Sequence, residues 1–191
     1  MRLLLPLLSL GTALMAELPP TLSQTGYRPG GRGLVAFEPA HPLWTDGLGK
    51  ARFVRLPSSA DGRNPQAWQF PVGTTFWKDF ELGPRRLETR VVRLGRKGWE
   101  YGTYLWRGDQ READLAPMEG RRDLARLPGG LAVHAPAVAD CRRCHENGGS
   151  PVLGFDALQL DAAQQRKLAK AGLLRLPASG PAPLALHGQT P

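Results

Sequence analysis

Apolar and polar residues alternate through four stretches in the middle of the chain, at about residues 51–56, 76–82, 87–94 and 99–106. The runs are rich in aromatic and β-branched residues and bounded by Gly or Pro, which is the pattern of strands whose side chains point to opposite faces in turn. The last two are joined by Gly95-Arg96-Lys97-Gly98, a good hairpin turn. In Thr74-Thr75-Phe76-Trp77-Lys78-Asp79-Phe80-Glu81-Leu82, alternation places Phe76, Lys78, Phe80 and Leu82 on one face and Trp77, Asp79 and Glu81 on the other. Lys78 thus shares a face with an apolar set. A cation there needs a partner, a cofactor contact or a path for its tip to reach water.

Outside the strands the pattern changes. Residues 109–115 read as a short surface helix with an acidic first turn, and 117–130 as a polar, arginine-rich connector. Asp161 can cap a helix over 162–171 that stops at Gly172, with Leu158, Leu168, Leu173 and Leu174 as an apolar stripe for the core. Residues 17–33 are Pro- and Gly-rich and read as an extended arm, 37–47 as a compact turn, and 177–191 as a loose tail. The expected fold is mainly β (α+β): an antiparallel body over 34–130 followed by a helical segment over 131–176.

Composition supports this picture. The 23 glycines and 18 prolines imply many turns rather than a helical bundle. Five Trp, six Phe and three Tyr, most of them between Tyr27 and Trp106, supply a core. The formal charge is +8, yet the 20 arginines are spread along the chain. That argues against nucleic-acid binding and for a solvated basic surface suited to an acidic partner. Residues 1–16, MRLLLPLLSLGTALMA, read as a cleavable secretory leader, with Arg2 before an apolar run and small residues at Ala13 and Ala16. The run is too short to span a bilayer. The expected compartment is the periplasm or the exterior, without stable membrane insertion.

The candidate chemistry lies late in the chain, in Cys141-Arg142-Arg143-Cys144-His145. C-x-x-C-H is the attachment signature of a c-type haem. Two thiols separated by two residues in a helical turn match the spacing of the two vinyl groups on one porphyrin edge. The adjacent histidine then falls under the iron as its axial base. A structural zinc site would need four ligands, and these are the only two cysteines, with no paired histidines elsewhere. A redox dithiol would need a strand leading into the motif, and residues 134–140 do not read as one. The expectation is one covalent haem c, thioether-bound through Cys141 and Cys144, with His145 as proximal iron ligand.

In common small cytochromes a methionine far downstream completes the iron, and none follows the motif here. The distal position is therefore expected to be open, or filled by His187, Met118, His134, His41 or Lys78.

The run Trp68-Gln69-Phe70-Pro71-Val72-Gly73-Thr74-Thr75-Phe76-Trp77-Lys78, placed ahead of a late C-x-x-C-H, resembles the β-sheet monohaem cytochromes, cytochrome c′-β and the P-460 cytochromes, which carry a Pro-x-Gly-Thr strand followed by a lysine. Residues 50–57, 87–90 and 98–106 are similar to segments of a family of exported haem proteins, a likeness that extends over roughly residues 37–175. The c′-β resemblance implies a five-coordinate haem in an apolar pocket that binds nitric oxide. The P-460 resemblance implies hydroxylamine oxidation at a haem crosslinked to a lysine, for which Lys78 is the matching residue. Together these readings lead to the expectation of one-electron transfer to an acidic redox partner protein. The rival expectation is an open iron that binds a small gas or oxidises a small nitrogen compound.

Overall fold

The computed structural model describes residues 18–45, 47–147 and 150–181 of the chain. The leader read over residues 1–16, and His187 near the end of the tail, lie outside these residues.

A single 3-10 turn at Ser23–Thr25 precedes β1 (Val35–Ala36), β2 (Gly49–Arg55), β3 (Ala60–Asp61), β4 (Thr75–Leu82), β5 (Arg85–Gly95) and β6 (Gly98–Trp106). Then follow β7 (Ala113–Leu115), β8 (Arg121–Arg126), β9 (Ala132–Ala135), α1 (Val138–Glu146), α2 (Ala162–Lys170) and β10 (Leu174–Arg175). Six strands form one antiparallel sheet in the order β1-β2-β4-β5-β6-β7. The fold is mainly β, as the alternation implies. The β5–β6 hairpin closes with Gly95 opposite Gly98, and Asp161 caps α2 by accepting the Gln164 N–H at 2.7 Å.

The helix expected over 109–115 does not form. Gln110 turns the chain with a φ of 59°, and β7 then pairs with β6, Ala113 opposite Trp106. The acidic residues that suggested a helix start serve other contacts. Glu112 accepts the backbone N–H of Ser23 at 3.2 Å, and Asp114 pairs with Arg107 at 2.6 Å. The connector also contains a strand, β8, which pairs with β9.

Both faces of the sheet are covered, which decides where the site can lie. On one face Trp77, Val91 and Tyr104 are buried under Leu18, Leu22 and Tyr27. The segment expected as an extended arm is pinned there: Leu22 N–H donates to Ala113 O at 2.9 Å, and the Tyr104 hydroxyl donates to Pro19 O at 2.7 Å. Gly102 permits this approach, since a Cβ there would fall 2.6 Å from Leu18 Cδ1. Trp77, Asp79 and Thr89 are all buried on this face, with Thr89 Oγ1 donating to Asp79 Oδ1 at 2.6 Å.

The opposite face is covered by the C-terminal third. Phe155 is fully buried, and its ring meets those of Phe37, Trp68, Phe70 and Phe76 at centroid distances of 4.8, 5.8, 6.1 and 5.2 Å. Leu160, Leu168 and Leu174 join the same cluster. Further along this face the apolar packing gives way to charged residues, and above them lies α1. No helix among the described residues is long and apolar enough to cross a membrane.

Candidate functional site

The helix α1 starts one turn after β9 and is fixed at its N-terminus by short-range contacts. The Ala137 N–H donates to Asp140 Oδ2 at 3.2 Å, and the Val138 N–H donates to the Met118 carbonyl at 2.8 Å. Gly120 lets the 117–120 turn press against this junction. A Cβ there would fall 2.5 Å from the Ala135 carbonyl oxygen, and its φ of 78° is one that glycine alone adopts freely.

Helical spacing sorts the motif by direction. Residues i, i+3 and i+4 share a face, so Cys141, Cys144 and His145 look toward the sheet. Arg142 and Arg143 look outward, 59% and 75% exposed, and pair loosely with Glu146 and Asp140 at 3.7 and 3.5 Å. The three inward residues line one cleft of about 370 Å³ between α1, the loops around Pro39–Leu43 and Val152–Asp156, and the sheet. Phe76, Val92, Val152 and Leu153 give it apolar walls, and Arg52, Lys78 and Arg90 lie along the sheet side. Cys144 is exposed and Cys141 half-buried, so the thiols mark the mouth.

His145 is held in one tautomer. Its Nδ1 lies 2.8 Å from the Pro151 carbonyl oxygen. A carbonyl can only accept, so Nδ1 carries the hydrogen and Nε2 keeps its lone pair. The same arrangement orients and strengthens metal-ligating histidines in general. The ring packs against Tyr101, centroids 5.4 Å apart. Burial, reinforced by the charges of Lys78 and Arg90, lowers the imidazole pKa against the opposing Pro151 contact. His145 is thus a neutral base at neutral pH. Burial raises the Cys141 thiol above its ordinary value, opposite to the low-pKa thiolate of redox dithiols.

These residues fit a c-type haem. Two thiols one helical turn apart, a neutral imidazole with a bare Nε2, apolar walls and cations for the carboxylates of a porphyrin are the donor set such a group requires. The thiols would hold the porphyrin edge and His145 its iron. Bound there, the group would supply a one-electron couple.

The distal candidates separate. Lys78 and His41 both line the cleft. Met118 does not: its side chain is 72% exposed, and its backbone carbonyl alone supports α1. His134 is exposed on β9, its Nδ1 accepting the Asp123 N–H at 2.9 Å.

Three residues of the site were not foreseen from the sequence: Arg52, Arg90 and Tyr101. In the sheet register Lys78 lies opposite Arg52 on β2 and Arg90 on β5, and Val92 of β5 lies opposite Tyr101 of β6. Parity within each strand carried the signal, since Arg52 and Val54, like Arg90 and Val92, must share a face. Arginines at alternate strand positions read as a solvated surface, and only the cover of α1 and of the loops around 37–43 and 152–156 turns this row inward.

Comparison with protein-family models, with curated proteins and with solved structures finds no match.

The floor of the cleft has a measurable pH signature. Burial, with Arg52 and Arg90 beside it, brings Lys78 down from 10.5 to about 8. Between these values the unfolded chain holds a proton that the folded chain has released, so stability rises with pH across that window. Below it the cost is fully present. In the chain expressed without haem, Lys78→Met is therefore expected to stabilise the fold at pH 7 by about 1–2 kcal/mol, allowing for solvent screening, and to have little effect above the unfolded pKa. Urea titrations of both chains on either side of the window check this. An equal or lower midpoint for the variant at neutral pH contradicts it.

Proposed function

We propose that the protein is an exported c-type haem protein, carrying one haem bound through Cys141 and Cys144 with His145 as axial ligand, and that its work is one-electron transfer. The observation that carries the reading is the Nδ1–H of His145 donating to the Pro151 carbonyl at 2.8 Å while the ring lines the same cleft as both thiols. A surface histidine has no need of a fixed tautomer; an iron ligand does. With the cysteines at the mouth, the porphyrin edge they would hold lies where electrons could pass to a partner. The basic chain, with Arg142 and Arg143 exposed beside that edge, suits an acidic partner.

One observation favours a second reading. Among the described residues that line the cleft, the nitrogen bases besides His145 and the arginines are His41 and Lys78, and no methionine is present. An iron without a strong distal ligand would take a small gas such as nitric oxide, or act on a small nitrogen compound such as hydroxylamine.

One spectroscopic experiment separates the two. The reduced protein is expected to be low-spin and unmoved by carbon monoxide if two side chains hold the iron, which supports electron transfer. A high-spin form that binds carbon monoxide supports the open site. A purified chain that yields no haem chromophore after expression with a haem-attachment system overturns both.

A further inference from the structure

The sheet side of the cleft holds more hydrogen-bond donors than acceptors. Tyr101 is 6% exposed and lines the cleft, yet its buried hydroxyl has no partner. Lys78 has the Phe80 ring 4.8 Å from its Nζ and, among the described residues, no ion pair. Arg52, also 6% exposed, spends only Nη1 on Glu38, at 2.7 and 2.9 Å. Arg90 binds Glu88 Oε1 through Nε and Nη2, at 2.8 and 2.6 Å, and keeps Nη1.

The nearby carboxylates do not close this balance: Glu88 gives only Oε1 to Arg90, and its buried Oε2 has no hydrogen-bond partner and forms no ion pair with Lys78 among the described residues. Asp140 and Asp156 line the cleft, but Asp140 accepts the Ala137 N–H and pairs with Arg143, while Asp156 accepts the N–H groups of Leu158 and Gln159. Three cations in one cross-strand row repel one another, and a half-buried ammonium without a counter-ion is costly. An anion bound among them removes both costs. Guanidinium forks match a planar carboxylate, and an ammonium adds a point charge.

We propose that Arg52, Lys78 and Arg90, one cross-strand row, form a binding site for a carboxylate or an oxyanion of similar size inside the cleft, with Tyr101 one row away on β6 and nearer the charges of α1. Two sources supply that chemistry: a propionate of the porphyrin, which rests on the function proposed above, and a free oxyanion entering from solvent, which does not.

The test uses the purified full-length protein, its Lys78→Met and Tyr101→Phe variants, and Lys167→Met as a control on the exposed side of α2. The propionate bending band is followed by resonance Raman spectroscopy, and sulfate binding by calorimetric titration. If a propionate fills the site, Lys78→Met shifts the band, Tyr101→Phe in the same cleft and Lys167→Met outside it leave it in place, and sulfate gives no saturable heat. If a free oxyanion fills it, the band stays put in every variant, sulfate binds saturably to the wild type, and Lys78→Met weakens that binding about ten-fold or more. A haem-bearing protein with neither a band shift nor saturable sulfate binding overturns the site and leaves the function standing. If the chain carries no haem, the titration alone decides: saturable sulfate binding weakened by Lys78→Met keeps the site while the function falls, and its absence overturns the site too.

Discussion

Replacing Cys141 and Cys144 together by serine is expected to give a folded protein whose haem extracts completely into acid acetone, whereas wild-type haem stays with the polypeptide. The expectation follows from the division of labour in the cleft. On the proposed function, the thiols would hold the porphyrin edge by covalent bonds and His145 would supply a single coordinate bond. Each single substitution leaves one thioether and retains haem less securely. His145→Ala leaves both attachment points and is expected to keep the haem while abolishing the native iron spectrum. The body should tolerate all of these changes, because no side chain of α1 is fully buried and the three residues lie outside the hydrophobic clusters. Haem staining after denaturing electrophoresis, with circular dichroism for the fold, reads both halves. Wild-type haem that extracts freely would sink the attachment claim whatever the spectrum shows.

The largest loss of stability is expected at Phe155. The residue is fully buried, and four aromatic rings from three separate parts of the chain surround it. Phe155→Ala removes the ring and leaves a space that these stiff neighbours can fill only in part. Such substitutions cost about 3–5 kcal/mol, a large share of the 5–15 kcal/mol that ordinarily holds a domain together. Urea unfolding followed by tryptophan fluorescence should show the drop, with Trp68 in direct contact as reporter. A cost below about 1 kcal/mol would mean that the segment carrying Phe155 unfolds apart from the sheet.

Strand positions were legible in the sequence because they depend on local patterns. Alternation located β2, β4, β5 and β6 to within two residues at each end, and Gly95 and Gly98 announced their turn. The Asp161 cap and the stop at Gly172 were readable for the same reason. Failures came where long-range contacts decide. Nothing local around Leu18 and Leu22 says that they cover Trp77 and Tyr104, so the contacts of the arm could not be read. At 109–115, propensity favoured a helix, but pairing with β6 and the demand of Ser23 for Glu112 favoured a strand. Lys78 was recognisable as misplaced on an apolar face, yet its companions Arg52 and Arg90 became visible only when the register laid three strands side by side. The Pro151 carbonyl that fixes the His145 tautomer belongs to the backbone, and composition says nothing of it.

That α1 buries no side chain fully bears on the order of assembly. The sheet and its two aromatic clusters can be complete while the motif helix is still only lightly held, since nine residues make a marginal helix on their own. In that condition the segment can swing out and offer both thiols to a modifying enzyme without disturbing the body, then be drawn down when a large apolar plane arrives beneath it. Protease protection of the 138–146 segment would then appear only after modification. Maturation would be the step that finishes folding, and the finished helix would carry a record that the cofactor has been installed.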